Sequence, residues 1–485
     1  MTDQFLLSHQ VGGGIFSLSG AHTLSIRDQM LRAQLLVKRC ILLGLIDDIE
    51  RHLLVVGGGV AGAVAAMTAA EAGVKVMLVE KRNDLFGKQK KCFRYLNPTE
   101  YDWPAPHWDR AIYTWCDPQA PLKWSEGVSD IIAHGWDIDF SRWLLDPNIQ
   151  SRVMIERGIT VKKDDIKVRD EDPTVVIYNH PNKKQLIFGA VISCVGQGTE
   201  NCSVLPSYRG YSFWGDDPYR LPNLGLSPDI QPKVLISGGG DGALQDYIRL
   251  TTGYNATKLY KFISSNIPPE VNENVMSLCI HADDKARRAW TWSPSKQGTL
   301  GTLAWEHAVL QNWHDVYKQA ADIIWNNLGR DTKNKLSQNV ADRAKVVLIH
   351  PCNHFDYSYG LNRILVLILD KLIRENGRIS IFPERKLIKV EPKPKVVCKC
   401  KLSPSSFNCH GQLHYAWTEN HTCLNPAPDR NNDDEKLKYI DKLSTNDKFG
   451  DAFHAIIVRH GVKQSPLFGH LLYPRQIVPF HLPGL

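Results

Sequence analysis

The sequence predicts an α/β fold carrying two strand–turn–helix units, and three observations predict it. An apolar run, Leu53 to Val56, passes into the glycine turn Gly57-Gly58-Gly59 and then into an alanine-rich stretch with helical character. The same succession starts again at Lys233, where Val234 to Ile236 leads toward Gly238-Gly239-Gly240. With 485 residues, 22% of them charged and 43% hydrophobic, the composition is that of a globular chain with room for about two or three domains.

Composition also excludes several classes. The formal net charge of +7 is modest for this length, and Lys and Arg are scattered among Asp and Glu, so no nucleic-acid partner is expected. The most apolar stretch near the N-terminus, Cys40 to Ile46, lies between Arg39 and Asp47 and falls far short of the ~20 apolar residues a membrane span needs. The start shows no charged head, apolar run and cleavage site in succession. The chain is therefore expected in the cytoplasm, without a membrane partner. Its 11 cysteines mostly stand alone in apolar segments, as Cys194 and Cys279 do, which suits reduced thiols and predicts no disulfides.

Taken in order, the elements begin with Ile26, Met30, Ala33, Val37, Ile41 and Leu45, which recur at helical spacing between Ser25 and Leu45. This amphipathic helix is assigned to an N-terminal extension over 1–50. From Leu53 come a strand, the glycine turn, a helix ending at Gly73 and a second strand, Val74 to Val79, which together make one βαβ unit. In the second unit a helix runs from the turn to Gly253, and the apolar-rich Leu259 to Ile263 is taken as its second strand. Beyond Glu391, Pro392-Lys393-Pro394 and the polar run Asp429 to Lys436 read as a linker and a solvated loop around a strand-rich tail.

The first turn carries G-x-G-x-x-G at Gly57, Gly59 and Gly62, with Gly58, Val60 and Ala61 between them. In a Rossmann βαβ unit the first glycine allows the tight turn, the second lets backbone approach a pyrophosphate, and the third lets helix and strand pack closely. The phosphates then meet free N–H groups at the positive end of the helix. Glu80, followed by Lys81, closes the second strand 23 positions after Gly57. There a carboxylate accepts hydrogen bonds from ribose hydroxyls and repels a 2′-phosphate. The alternative is a Rossmann frame that no longer binds.

The second turn carries G-x-G-x-x-A at Gly238, Gly240 and Ala243, with Gly239, Asp241 and Gly242 between them. Asp241 is unusual there, and repels phosphate unless it points away. The position 23 residues after Gly238 is Lys261, with Lys258 nearby. A cation in place of the acidic ribose reader favours NADPH over NADH; the alternative is that both lysines are solvated strand-edge residues.

On these two fingerprints the chain resembles the flavoproteins with two dinucleotide-binding domains, the superfamily of thioredoxin-reductase-like enzymes and flavin-containing monooxygenases. Val191 to Val195 before Gly196, and Ala455 to Val458 before Gly461, are similar to the strands by which that family returns to its first domain. The resemblance implies an FAD-type Rossmann domain over 51–232, interrupted by an NAD(P)-binding Rossmann domain over 233–350. The stretch 351–485 would then return to the first. It further implies an FAD-dependent oxidoreductase that accepts hydride from NADPH or NADH and passes electrons to a small-molecule or protein acceptor. The chain departs from the pattern at three places. Gly450-Asp451 precedes the strand Ala455 to Val458 instead of following it, and there is neither a C-x-x-C pair nor an F-x-G-x-x-x-H motif. Two other readings therefore stay open: a nucleotide-sensing or scaffold protein that turns nothing over, and an oxidase or monooxygenase that uses oxygen. A homodimer is compatible with either.

Three constellations remain. Tyr101-Asp102-Trp103-Pro104, with His107 and Trp108 beyond, is an aromatic loop that either packs or covers a ring-shaped ligand. His350, Cys352, His354, Asp356 and Tyr357 either serve proton transfer or form a polar turn. His107, His354 and Tyr357 are the candidate acid–base residues. Cys398, Cys400, Cys409 and Cys423 match no common zinc-finger spacing, so no metal is expected, with structural zinc on these four as the alternative.

Overall fold

A computed structural model of the chain describes residues 3–19, 25–105, 122–182, 185–196, 198–204, 208–215, 217, 219–220, 224, 226, 230–291, 300–355, 358–392, 414–420, 448–463 and 467. The chain divides into two compact units. Met1–Pro98, Asp109–Thr199 and Val462–Leu485 make the first, and Thr99–Trp108 with Glu200–Gly461 make the second.

The first unit is organised by a six-stranded sheet of β1 (Gln10–Gly12), β2 (Ile15–Ser17), β3 (Leu53–Val56), β4 (Val76–Glu80), β5 (Val153–Arg157) and β6 (Ala190–Ser193). Its order is β1-β2-β6-β3-β4-β5, and only β1 runs antiparallel to its neighbour. Side chains alternate between the two faces. Leu53, Val55, Val76, Leu78, Ala190 and Ile192 meet α1 (Ile26–Leu42) and α2 (Val60–Glu71). Leu54, Val56, Met77, Val79 and Val191 meet a small antiparallel sheet of Ile166–Val168, Val176–Tyr178 and Leu186–Phe188. Burial on both sides explains why these strands are apolar throughout. Helix α2 is buried along its whole length up to Ala70, because Ala33, Val37 and Cys40 of α1 join the cluster that covers it.

The second unit repeats this three-layer plan. Strands β7 (Lys233–Ser237), β8 (Lys345–Ile349), β9 (Ile381–Phe382) and β10 (Ala455–Val458) form a parallel sheet in the order β9-β8-β7-β10. Val234, Ile236, Val346, Leu348, Ala455 and Ile457 face helices. Leu235, Ile349, Ile456 and Val458 face Leu387, Val390 and Phe453, which belong to an antiparallel sheet of Arg385–Pro392, His414–Asn420 and Lys448–Phe453.

Several expectations are corrected. The first 50 residues are not an appended helix, since β1 and β2 extend the first sheet and α1 covers α2. The division between units falls after Thr199 and not after 232. Ala455–Val458 belongs to the second sheet, beside β7, and does not return to the first. Leu259 to Ile263 is no strand but part of α5 (Ala256–Ser264). Its buried Ala256, Leu259, Tyr260 and Ile263 follow the three-and-four helical spacing, and Asn255 caps it by accepting the Lys258 N–H at 2.8 Å. From β7 the chain reaches β8 through α4 (Asp241–Thr252), α5, α6 (Pro269–Thr291), α7 (Leu300–Asn327) and α8 (Arg330–Ala341). Helix α9 (Gly360–Glu375) follows β8. Cys40, Cys194, Cys202 and Cys279 are free thiols, as expected. Cys352 is disulfide-bonded, because pairing depends on which thiols the fold brings together and sequence spacing does not record that. Among the described residues no helix is long and apolar enough to cross a membrane.

The tightest joint in the first unit is Gly62, where an added Cβ would lie 1.8 Å from the Gly57 carbonyl oxygen. Backbone cannot yield as a side-chain tip can. Gly62→Ala is expected to cost at least about 2 kcal/mol of stability, measured by denaturant unfolding; a loss under about 0.5 kcal/mol would show that α2 and the turn are not packed this closely.

Candidate functional site: the glycine turns

In the first unit the turn follows directly from the buried strand β3. Gly57 has φ +108°, and a Cβ there would meet the Cys194 carbonyl oxygen at 2.6 Å. A side chain is thus excluded both by backbone conformation and by the chain leaving β6. At Gly58 a Cβ would meet Leu85 Cδ2 at 2.4 Å, and the Phe86 N–H donates to the Gly58 carbonyl at 3.0 Å. Gly59 differs: a Cβ there would find nothing within 4 Å.

Gly59 is also the N-cap of α2. It supplies no side-chain cap, and the helix has no acidic residue in its first turn. Bare backbone, first-turn N–H groups and the positive end of the helix dipole therefore share one open approach, the arrangement that receives a diphosphate. Val60 and Ala61 are buried, so the first helical side chains point into the protein.

Glu80 ends β4 beside this turn. Its carboxylate accepts the Gly58 N–H through Oε2 and the Arg82 N–H through Oε1 at 2.8 Å. These bonds hold the group in place, and each oxygen keeps a further lone pair for a ribose hydroxyl. Lys81 beyond it is exposed. Gly196 is exposed, with φ +84° and open space at its Cβ position, and Ser19 Oγ donates to its carbonyl at 2.6 Å. Sequence reasoning missed the Leu85-Phe86 clamp on Gly58, for which the only signal was an apolar pair inside a polar run.

The second turn shares the frame but differs in its contents. Gly238 has φ +143°, and a Cβ there would meet the Arg459 carbonyl oxygen at 2.2 Å, just past β10. Ala243 is fully buried, as the helix-packing position requires. Asp241 does point away from the approach: its Oδ1 accepts the Tyr359 N–H at 3.1 Å and Asn362 Nδ2 at 2.7 Å, and its Oδ2 accepts from Gln245 at 3.2 Å. Phe213 lies 3.1 Å from where a Gly242 Cβ would stand. The Phe213 ring thus stands beside the first turn of α4, where an anion would need room. Lys261, expected at a strand end as the coenzyme reader, is exposed on α5, so it does not distinguish NADPH from NADH.

The other candidates scatter. Trp103 is buried against Tyr260 and Tyr317, with ring centroids at 5.3 and 6.1 Å, so its part of the aromatic loop packs the second core. His354 is buried and within hydrogen-bond distance, 3.0 Å, of His307. His107, Tyr357, Cys398, Cys400, Cys409 and Cys423 lie outside the described residues.

The first turn lies within the stretch that a family model matches. Residues 55–111 match the family model of the NAD(P)-binding Rossmann-like domain. That stretch contains the whole first turn and Glu80. With the parallel strands and the glycine turn around it, the match bears out a Rossmann-like nucleotide-binding unit at the first turn. Among solved structures, the chain is similar to Lactococcus lactis thioredoxin reductase in its FR conformation, at 10% identity over 86% of this chain and 80% of that one, with a TM-score of 0.35. T. acidophilum thioredoxin reductase shows 10% identity over 85% and 77%, TM-score 0.34. OTEMO in complex with FAD and NADP shows 11% identity over 70% and 67%, TM-score 0.31. Scores this low leave the site to be read from its own residues. Comparison with curated proteins finds no match.

Near the second turn, Glu100 is buried, and burial followed by the neighbouring Asp241 charge pushes its pKa up to about 8. Gln245 Nε2 approaches its Oε1 at 3.3 Å. Its folded pKa is raised, so its contribution to stability is whole below about pH 4.5 and is lost as pH rises from there through 8. Glu100→Gln removes this term. The stability of the variant relative to the unaltered chain is expected to grow by about 1 kcal/mol per pH unit between pH 5 and 8, read from urea unfolding; a constant difference would mean that Glu100 is ionised in the folded protein.

Proposed function

We propose that this chain is an FAD-dependent oxidoreductase whose first unit holds the ADP portion of the dinucleotide. The observation that carries the reading is the open backbone of Gly59 at the start of α2, with the Glu80 carboxylate fixed beside it. Gly57 and Gly59 with the first-turn N–H groups of α2 would receive the diphosphate, and Glu80 the ribose hydroxyls. Bound FAD supplies two-electron redox chemistry at its ring system, while the protein supplies binding and orientation. NADPH or NADH would be the hydride source and a small molecule or protein the electron acceptor, in the cytoplasm.

One observation favours a second reading. Phe213 stands beside the first turn of α4, which supports a nucleotide-sensing or scaffold protein that uses only the first unit.

An absorbance spectrum of the purified chain, followed by anaerobic titration with NADPH and then NADH, separates the two. The oxidoreductase reading expects a flavin spectrum that either nucleotide bleaches. A flavin spectrum that neither bleaches favours the single-nucleotide reading, and protein that stays colourless with added FAD rejects flavin binding. Gly59→Val fills the open approach and Glu80→Ala removes the ribose partner; each is expected to lower FAD occupancy at least about tenfold, measured by the ratio of visible to 280 nm absorbance after gel filtration. Full occupancy in both would contradict the assignment of the site.

A further inference from the structure

The second unit holds a group of ligating side chains past the carboxyl end of β8, where the loop from His350 to Phe355 meets α7. His307 on α7, Cys352 and His354 each offer one ligand atom, and these atoms all lie within 4.8 Å of one another. His354 and Cys352 are buried and His307 is half-buried. In a tetrahedral zinc site with Zn–S near 2.3 Å and Zn–N near 2.0–2.1 Å, ligand atoms stand about 3.4–3.6 Å apart, a separation the cluster reaches with small side-chain shifts.

The hydrogen bonding prepares one of these ligands. His354 Nδ1 lies 3.1 Å from the Phe355 carbonyl oxygen. A carbonyl only accepts, so Nδ1 carries the proton and Nε2 turns its lone pair toward His307, whose Nδ1 is 3.0 Å away. A backbone carbonyl on the far ring nitrogen is how metal-binding histidines fix their tautomer. Cys352, as its thiolate, would supply negative charge against a divalent cation.

We propose that reduction of the Cys352 disulfide opens a zinc site formed by Cys352 Sγ, His307 and His354, with water in the fourth position. A cellular dithiol supplies the two electrons and two protons: the S–S bond breaks, Cys352 and its partner cysteine become thiols, and the dithiol closes to its own disulfide. Zinc then binds Cys352 Sγ as the thiol proton passes to solvent. A small-molecule disulfide reverses the step by exchange: Cys352 and its partner reform their S–S bond, the small disulfide takes up the two electrons and two protons and leaves as two thiols, and the ion is released, so occupancy follows the thiol redox state. The site stands on the second unit alone and does not depend on what the first turn binds.

Cobalt(II) serves as the probe on the full chain, stripped of metal by a chelator. The disulfide is reduced with a water-soluble phosphine, which takes its oxygen from water to become the phosphine oxide. Cobalt-minus-zinc difference spectra remove absorption from any bound cofactor. The reduced chain is expected to take up one more equivalent of cobalt than the oxidised chain and to show thiolate-to-cobalt charge transfer. Cys352→Ser should abolish that band, and His307→Gln, at a half-buried position, should keep the band but weaken binding at least about tenfold, with circular dichroism confirming that both variants are folded. No added equivalent on reduction, or unchanged cobalt affinity and spectrum in folded Cys352→Ser, would overturn the proposal.

Discussion

Close approach of backbone to backbone at the glycine turn is the constraint on which the first unit depends. The chain leaving β6 presents the Cys194 carbonyl directly against Gly57, and α2 brings Gly62 against Gly57 from the other side. Neither contact leaves space for a methyl group. Because both neighbours are packed in, the turn is held where the end of β3, the start of α2 and the last residue of β4 converge. Glu80 is then locked by two backbone N–H groups, so its carboxylate is set before any ligand arrives. Preorganisation of this kind avoids an ordering cost at the moment of binding.

The second unit obeys the same constraint with a different outcome. Gly238 lies under the Arg459 carbonyl as Gly57 lies under Cys194, and the three layers recur. Its turn, however, has acquired internal partners. Asp241 ties the start of α4 to the start of α9, and Arg459 reaches Asp246 at 3.0 Å while its guanidinium sits 4.6 Å from the Tyr211 ring centroid. Shared architecture does not by itself carry shared ligand binding, which is decided by the side chains at each turn.

Much of this was legible in the residues. The strands are apolar on both faces because each is sandwiched, and the glycine spacing reports steric demands that the contacts then show at Gly57 and Gly62. Other features were not legible, for identifiable reasons. Leu259, Tyr260 and Ile263 pack as a helix, but a short apolar run has too few residues for period alone to separate strand from helix. The counted position, Lys261, therefore falls on a helix and not at a strand end. The partner of β7 was hidden because β10 lies more than 200 residues beyond it in sequence, and local pattern does not encode long-range pairing. His307 went unnoticed because it meets His354 from a separate helix.

The central claim is that the first turn grips a diphosphate while Glu80 grips an unmodified ribose. Calorimetric titration of the cofactor-free chain with ADP, and with ADP carrying a 2′-phosphate, tests it most directly. Glu80 stands where the extra phosphate would fall, so ADP is predicted to bind at least about tenfold more tightly, a difference of about 1.4 kcal/mol. Equal affinities, or preference for the 2′-phosphorylated nucleotide, would contradict the account.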